Sequence, residues 1–378
     1  MNHAELRAEP GAAAAKASGL EGVVVADTRL SHVDGERGEL VIAGSRVEDL
    51  ALSEALSFEP VAARLLSLGR AEPCRDWRAE LGGARVAAFA RLPRLSTSLS
   101  LPDAMDALIA ATAQGCAGSD PITLLGALPV FVAAGARLRA GLPAIAPSAE
   151  RSHAADFLTL LGLPAHPARA RALDAYWITV SDHGLNASTF TARVVASTGA
   201  DVMPCVVAAI GALKGPLHGG APGPVLDMLD ATSGAAPRAW LEREIAAGRR
   251  IMGMGHRIYR VRDPRAFVFE RAISRLEQEE RERGGSSAIS ARLAHARHVE
   301  QAAEALLSER HPERPLRANV EFYTALLLEA LGIPRALFSA TFAIGRAAGW
   351  LAHIEEQRRV GKLIRPAARY VGPLESLP

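Results

Sequence analysis

The chain has 378 residues, of which 49% are hydrophobic and 22% charged, with a formal net charge of +2. So many apolar side chains supply a sizeable core and exclude disorder as the general state. The near-balance of charge excludes a global pull toward nucleic acid or an anionic membrane.

In chain order, residues 1–18 are Ala-rich but hold Glu5 and Glu9 and lack the apolar core of a signal peptide, so they read as a flexible tail. GELVIAG, residues 38–44, is the clearest strand, and the DGERG before it is a hairpin-type turn. Beyond this the periodicity is helical. DFLTLLGL stops before Pro164, ARALDAYWITVSDHG reads as a helix ending at Gly184, and TFTARVVASTG stops at Gly199. DVMPCVVAAIGALKG starts on an Asp cap and stops at Gly215. RAFVFERAISRLEQEERERGG is a long amphipathic helix, SERHPERPLRA (308–318) a connector, and NVEFYTALLLEALGIP the next helix. PRALFSATFAIGRAAGWLAHIEEQRR is apolar nearly all round, as expected of a helix buried in a core or an interface. The fold class expected is all-α in two domains, with a small N-terminal β-hairpin. No uninterrupted apolar run reaches the roughly 18 residues of a membrane span.

Cys74, Cys116 and Cys205 are far apart and in no C-x-x-C pair, which argues against a disulfide framework and fits a reducing compartment. None of the 11 histidines forms H-x-x-x-H or H-E-x-x-H. His295 and His298 sit three apart, but ARLAHARHVEQ reads as a solvated helix face. No metal site is expected. Nor is there a Walker loop, a dinucleotide fingerprint or a G-x-S-x-G elbow.

Four short stretches concentrate chemistry. SDHGLNASTFTARV (181–194) has His183 at a helix junction with Asn186 and Ser188 beyond it, where either could simply cap the next helix. KGPLHGGAPGPVLDML (214–229) sets His218 among Gly and Pro before a helix, whose dipole would keep the imidazole neutral and able to hydrogen-bond a carbonyl. IMGMGHRIYRVRDPRA (251–266) surrounds His256 with Gly253, Gly255 and four arginines, whose forks suit carboxylates or phosphates. In ANVEFY (318–323) Asn319 looks like an N-cap and Glu321 falls in the first helical turn, where an acid is favoured electrostatically in any protein.

Together these stretches resemble the citrate synthase family. HGLNAST, GPLHGGA, G-x-GHRIYR-x-x-DPRA, NVEFY, GRAAGWLAHIEEQ and LIRPAARYVG follow that family's order and approximate spacing from about Gly19 to Pro373. The likeness is greatest to short bacterial enzymes acting as citrate or 2-methylcitrate synthases. It implies a large helical domain from 19–217 and 328–378, a small one from 218–327, and a homodimer; the cysteine usage and the lack of a signal peptide or membrane span read as cytoplasmic. It implies oxaloacetate and acetyl-CoA (or propionyl-CoA) as substrates, with no tightly bound cofactor.

By motif, His218 would hydrogen-bond the thioester carbonyl, Glu321 would take the α-proton, and His256 would act on the oxaloacetate ketone. His183, Arg265, Arg346 and Arg365 would hold oxaloacetate, Arg365 reaching across from the neighbouring subunit. Asn186 and Ser188 would support His218. Ile251, Met252, Gly253, Met254 and Gly255 would receive coenzyme A, with Arg260 near its phosphates. The chemistry fits: a dianion with a ketone needs guanidinium groups and a donor, and a weakly acidic α-proton needs a placed carboxylate. The family's usual residue at position 321 is aspartate, so Glu321 is a departure, and a catalytically impaired CoA-binding protein is the rival from outside enzymes.

Overall fold

The computed structural model describes Leu20 and residues 22–70, 76–218, 222–234, 236–255, 258–259, 261–284, 288–313, 316–368, 370 and 372. The expected tail over 1–18, Cys74, His256 and Arg260 lie outside the described residues.

Among the described residues the first elements form a three-stranded antiparallel sheet, β1 (Ser31–Asp34), β2 (Glu39–Ile42) and β3 (Ser45–Arg46), in that order. Alternation along β2 sends Leu40 and Ile42 inward, where both are fully buried. Ala43 and Gly44 turn the chain into β3 with φ of 49° and 79°, the paired positive values of a tight hairpin turn.

The rest is helical: α1 (Val47–Ala51), α2 (Phe58–Arg70), α3 (Trp77–Arg91), α4 (Ser96–Leu99), α5 (Ala104–Gly115) and α6 (Pro121–Arg139). Then come α7 (His153–Leu161), α8 (Pro167–Val180), α9 (Ala187–Ala196), α10 (Val202–Lys214) and α11 (Pro222–Ala231). The series ends with α12 (Pro237–Ala246), α13 (Pro264–Glu282), α14 (Ala288–Arg310), α15 (Val320–Ala330) and α16 (Phe338–Val360). The all-α class with an N-terminal hairpin is therefore what the chain adopts.

Helix starts follow local chemistry: Asp103, Asp120, Ser152, Asn186, Asp263 and Asn319 each accept a backbone N–H of the first turn through the side chain. Asp201, expected to cap α10, occupies the N-cap position without such a bond. The connector expected from 308 is shorter, since α14 runs to Arg310. By length and composition α6 could cross a membrane, but most of it is buried inside the protein.

Helix α16 is the axis of the core. It packs against α2, α6, α8, α9 and α10, and is buried along nearly its whole length. Gly349 permits this: a Cβ there would lie 2.1 Å from the Ser181 carbonyl oxygen at the end of α8. That contact brings α16 against the loop carrying His183. The other end of the site is made by α11, α13 and α15, where α13 and α11 each pack on α15.

Candidate active site

The α8–α9 loop is built on a buried polar network. Helix α8 ends at Val180, one turn earlier than its sequence suggests, because Ser181 closes it and Asp182 is drawn away. The Ser31 hydroxyl donates to Asp182 Oδ2 at 2.5 Å and accepts from the Gly184 N–H at 2.9 Å. His353 Nε2 lies 3.2 Å from the same carboxylate oxygen. Arg193 Nη1 points at His353 Nδ1 from 3.0 Å; an arginine only donates, so Nδ1 accepts and the imidazole proton sits on Nε2, toward Asp182. Burial alone would push Asp182 up, yet His353, Ser31 and Arg346 hold it below the usual carboxylate value. His183 follows, buried, with Nε2 3.1 Å from the Tyr259 hydroxyl.

His218 stands across from this loop, its Nε2 2.9 Å from Ser188 Oγ. Ser188 is fully buried, accepts the Trp350 indole N–H at 3.1 Å and donates to Asn186 Oδ1 at 2.8 Å. Asn186 is fixed in turn, because Oδ1 accepts the Thr189 N–H while Nδ2 donates to the Gly184 carbonyl. With the serine proton committed to Asn186, the neutral imidazole carries its own proton on Nε2 in this conformation. The imidazole pKa is lowered to about 4 by burial first and the nearby Arg346 second, rather than chiefly by the helix dipole that its sequence position suggests.

Two buried guanidinium groups face Glu321. Arg265 holds Asp263 with a fork, Nε to Oδ1 at 3.0 Å and Nη2 to Oδ2 at 2.8 Å. Arg346 is 2% exposed, donates through Nε to the Val180 carbonyl, lies over the Phe342 ring and makes no ion pair among the described residues. Burial, with the like charge of Arg265 opposing two nearby acids, lowers its pKa to about 10. A buried cation with no carboxylate at ion-pair distance is a standing attractor for an anion. Glu321 is half-buried, and loss of hydration raises it to about 7, against the lowering effects of Arg265 and Arg346.

The stretch 251–255 is clipped to the segment before α15. Gly255 N–H donates to the Arg317 carbonyl at 2.7 Å, Asn319 N–H to the Gly253 carbonyl at 2.9 Å, and Asn319 Nδ2 to the Gly255 carbonyl at 2.8 Å. The same Asn319 accepts the Glu321 N–H at 2.9 Å. Gly253 and Gly255 both have φ of 77°, and a Cβ on Gly253 would crowd Val225 and Phe322. The protein itself uses the absent side chains. Ile251 and Met254 are buried, and Met252 is half-buried.

The structure thus gathers His183, Asn186, Ser188, His218, Arg265, Glu321 and Arg346 into one neighbourhood. Arg365 is separate: it is exposed beyond α16 and lines a cavity of about 540 Å³ with Leu20, Val25, Phe190 and Ile364. His295 is half-buried, with Nε2 3.0 Å from the Leu229 carbonyl, whereas His298 is exposed, so the two do not pair. Sequence reasoning missed Asp182, His353, Trp350 and Tyr259. An apolar helical pattern around each of the middle two announces burial, not the polar contact it makes.

The family model described as citrate synthase, C-terminal domain, matches residues 19–367. The citrate synthase of Synechocystis sp. is 36% identical over 373 residues, covering 94% of this chain and 90% of its own. The 2-methylcitrate synthase of Mycobacterium tuberculosis is also 36% identical, over 372 residues, with the same 94% and 90% coverage. Among solved structures, the Thermoplasma acidophilum citrate synthase in ternary complex with carboxymethyl coenzyme A and oxaloacetate has a TM-score of 0.80 and 26% identity, covering 95% of this chain and 96% of that one.

Proposed function

From the premise that the chain belongs to the citrate synthase family of enzymes, we propose that it condenses oxaloacetate with acetyl-CoA and water to give citrate and free coenzyme A. The observation that carries this reading is Arg346, whose buried charge acts on both His218 and Glu321. One cleft then offers an anion site, a neutral imidazole and a carboxylate whose raised pKa suits proton abstraction near neutrality.

In the proposed sequence Glu321 removes a proton from the α-carbon of the thioester, and His218 hydrogen-bonds the oxygen on which charge develops. That role needs a proton on Nδ1, which follows if the Ser188 hydroxyl turns from Asn186 to His218. The new carbon nucleophile attacks the oxaloacetate ketone, with His256 as the group acting on that carbonyl. Water then cleaves the thioester of the condensed product. His183, Arg265 and Arg346 hold the dianion, for which Arg265 must offer N–H groups beyond the fork on Asp263. Ile251 to Gly255 receive coenzyme A, with Arg260 near its phosphates.

We place closure in a small domain of residues 218–327 moving against 19–217 and 328–378, which would exclude water and orient the two substrates. Arg365 serves the site of a second copy in a homodimer, and the enzyme works in the cytoplasm, as unpaired Cys116 and Cys205 suit. Propionyl-CoA in place of acetyl-CoA is the second reading, favoured by the 2-methylcitrate synthase relative. One methyl is worth only about 1–3 kcal/mol of discrimination. Mixing the enzyme with oxaloacetate and each acyl-CoA and following free thiol tests all of this. Faster release with acetyl-CoA supports the first reading, faster release with propionyl-CoA the second, and no thiol from either refutes both.

A further inference from the structure

Tyr176 is fully buried on α8, its ring 5.3 Å from that of Phe269 on α13, and its hydroxyl has no hydrogen-bond partner among the described residues. Buried tyrosine hydroxyls ordinarily find one, because an unpaired donor away from water costs stability. One helical turn later, on the same face of α8, the Val180 carbonyl accepts Arg346 Nε. The charged groups acting on the Tyr176 hydroxyl are Glu321 on α15 and Arg346 on α16. Those acting on Glu321 are Arg265 and Asp263 at the start of α13, and Arg346. The Glu321 carboxylate makes no hydrogen bond of its own among the described residues; only its backbone N–H is held, by Asn319. An unused donor on α8 and an unused acceptor on α15 therefore stand on helices that pack on each other and on α13.

We propose that Tyr176 is a positioning residue, whose hydroxyl donates to the Glu321 carboxylate when the cleft closes and fixes that side chain for proton abstraction. The need follows from the residue at 321. Glutamate has one more rotatable bond than the aspartate expected at 321, so a carboxylate on the longer stem must be anchored from outside its own helix. Tyr176 supplies the anchor from α8. The proposal rests on Glu321 being the base.

Tyr176→Phe removes the hydroxyl alone. Expected are a loss of about tenfold or more in kcat, the size of one hydrogen bond to a charged group, and an unchanged KM for oxaloacetate. The acid limb of the kcat–pH profile should move upward, because the lost bond favoured the ionised carboxylate. The melting temperature should not fall, since an unpaired buried hydroxyl has been removed. In a Glu321→Asp background the same substitution should have little effect, the shorter acid being out of reach. An unchanged kcat, an unmoved acid limb, a raised KM for oxaloacetate, or an equal loss in the Asp background would each overturn the proposal. Normal turnover of Glu321→Gln would instead remove the base itself, and so separates failure of the functional reading from failure of this one.

Discussion

Arg346 brings a positive charge into the interior with no acid paired to it among the described residues, and the groups around it are tuned by that charge. His218, lowered to about 4, stays neutral through the working pH range. Glu321, raised to about 7, is half protonated near neutrality, so the substrate-free enzyme should lose activity as pH falls through about 7. The kcat/KM–pH profile for acyl-CoA measures that limb. Glu321→Gln should bind oxaloacetate but turn over at least a hundredfold more slowly, because an amide cannot accept the proton. The same variant should be more thermally stable than the parent at high pH. A carboxylate whose folded pKa lies above its ordinary value of 4.5 is costly to ionise, and that cost is complete only above about pH 7. Melting curves at pH 5 and pH 8 should therefore show a stability gain for the variant that is larger at the higher pH.

At the level of elements, Asn319 joins two parts of the site. It caps α15 beneath Glu321 and ties the preceding segment to the 251–255 stretch. Asn319→Ala should cost on the order of 1 kcal/mol for the cap alone. It should lower kcat by more than that stability loss accounts for, since the proposed base and the proposed acyl-CoA stretch lose their common anchor. Steady-state kinetics beside denaturant titration would separate the two effects. The cap was legible from ANVEFY, because a short polar residue before an apolar run satisfies the first-turn N–H groups. The clip from Gly253 and Gly255 to Arg317 and Asn319 was not, since nothing local to a Gly-x-Gly run names its distant partner. The end of α8 was misread for a similar reason: Ser31 and His353, remote in sequence, pull Asp182 out of the helix.

For the molecule as a whole, the helical class could be read because caps, stops and turn glycines are local signals. Residues such as Trp350 and His353 could not, because α16 is buried on every side and its pattern says nothing about which neighbour each polar atom meets. Arg365 belongs at this scale. None of His183, Arg265 and Arg346 lines its cavity, which is what the proposed service to a second subunit requires. Arg365→Ala should raise the KM for oxaloacetate at least tenfold. Mixing it with an Arg346→Ala chain should recover some activity through hybrid dimers, a complementation assay that no monomer would pass.

The polar network at the α8–α9 loop joins segments from opposite ends of the polypeptide. The Arg29 N–H donates to Glu356 across 327 positions, and Glu356 is held by Arg193 at 2.6 Å, one step from His353 and Asp182. Such a knot can tie only after nearly everything between its strands has found its place, and long-range closures come slowly. During renaturation, far-ultraviolet circular dichroism should recover first and catalytic power last. Competence is thus a late-arriving property of this chain, gated by the meeting of its two extremities.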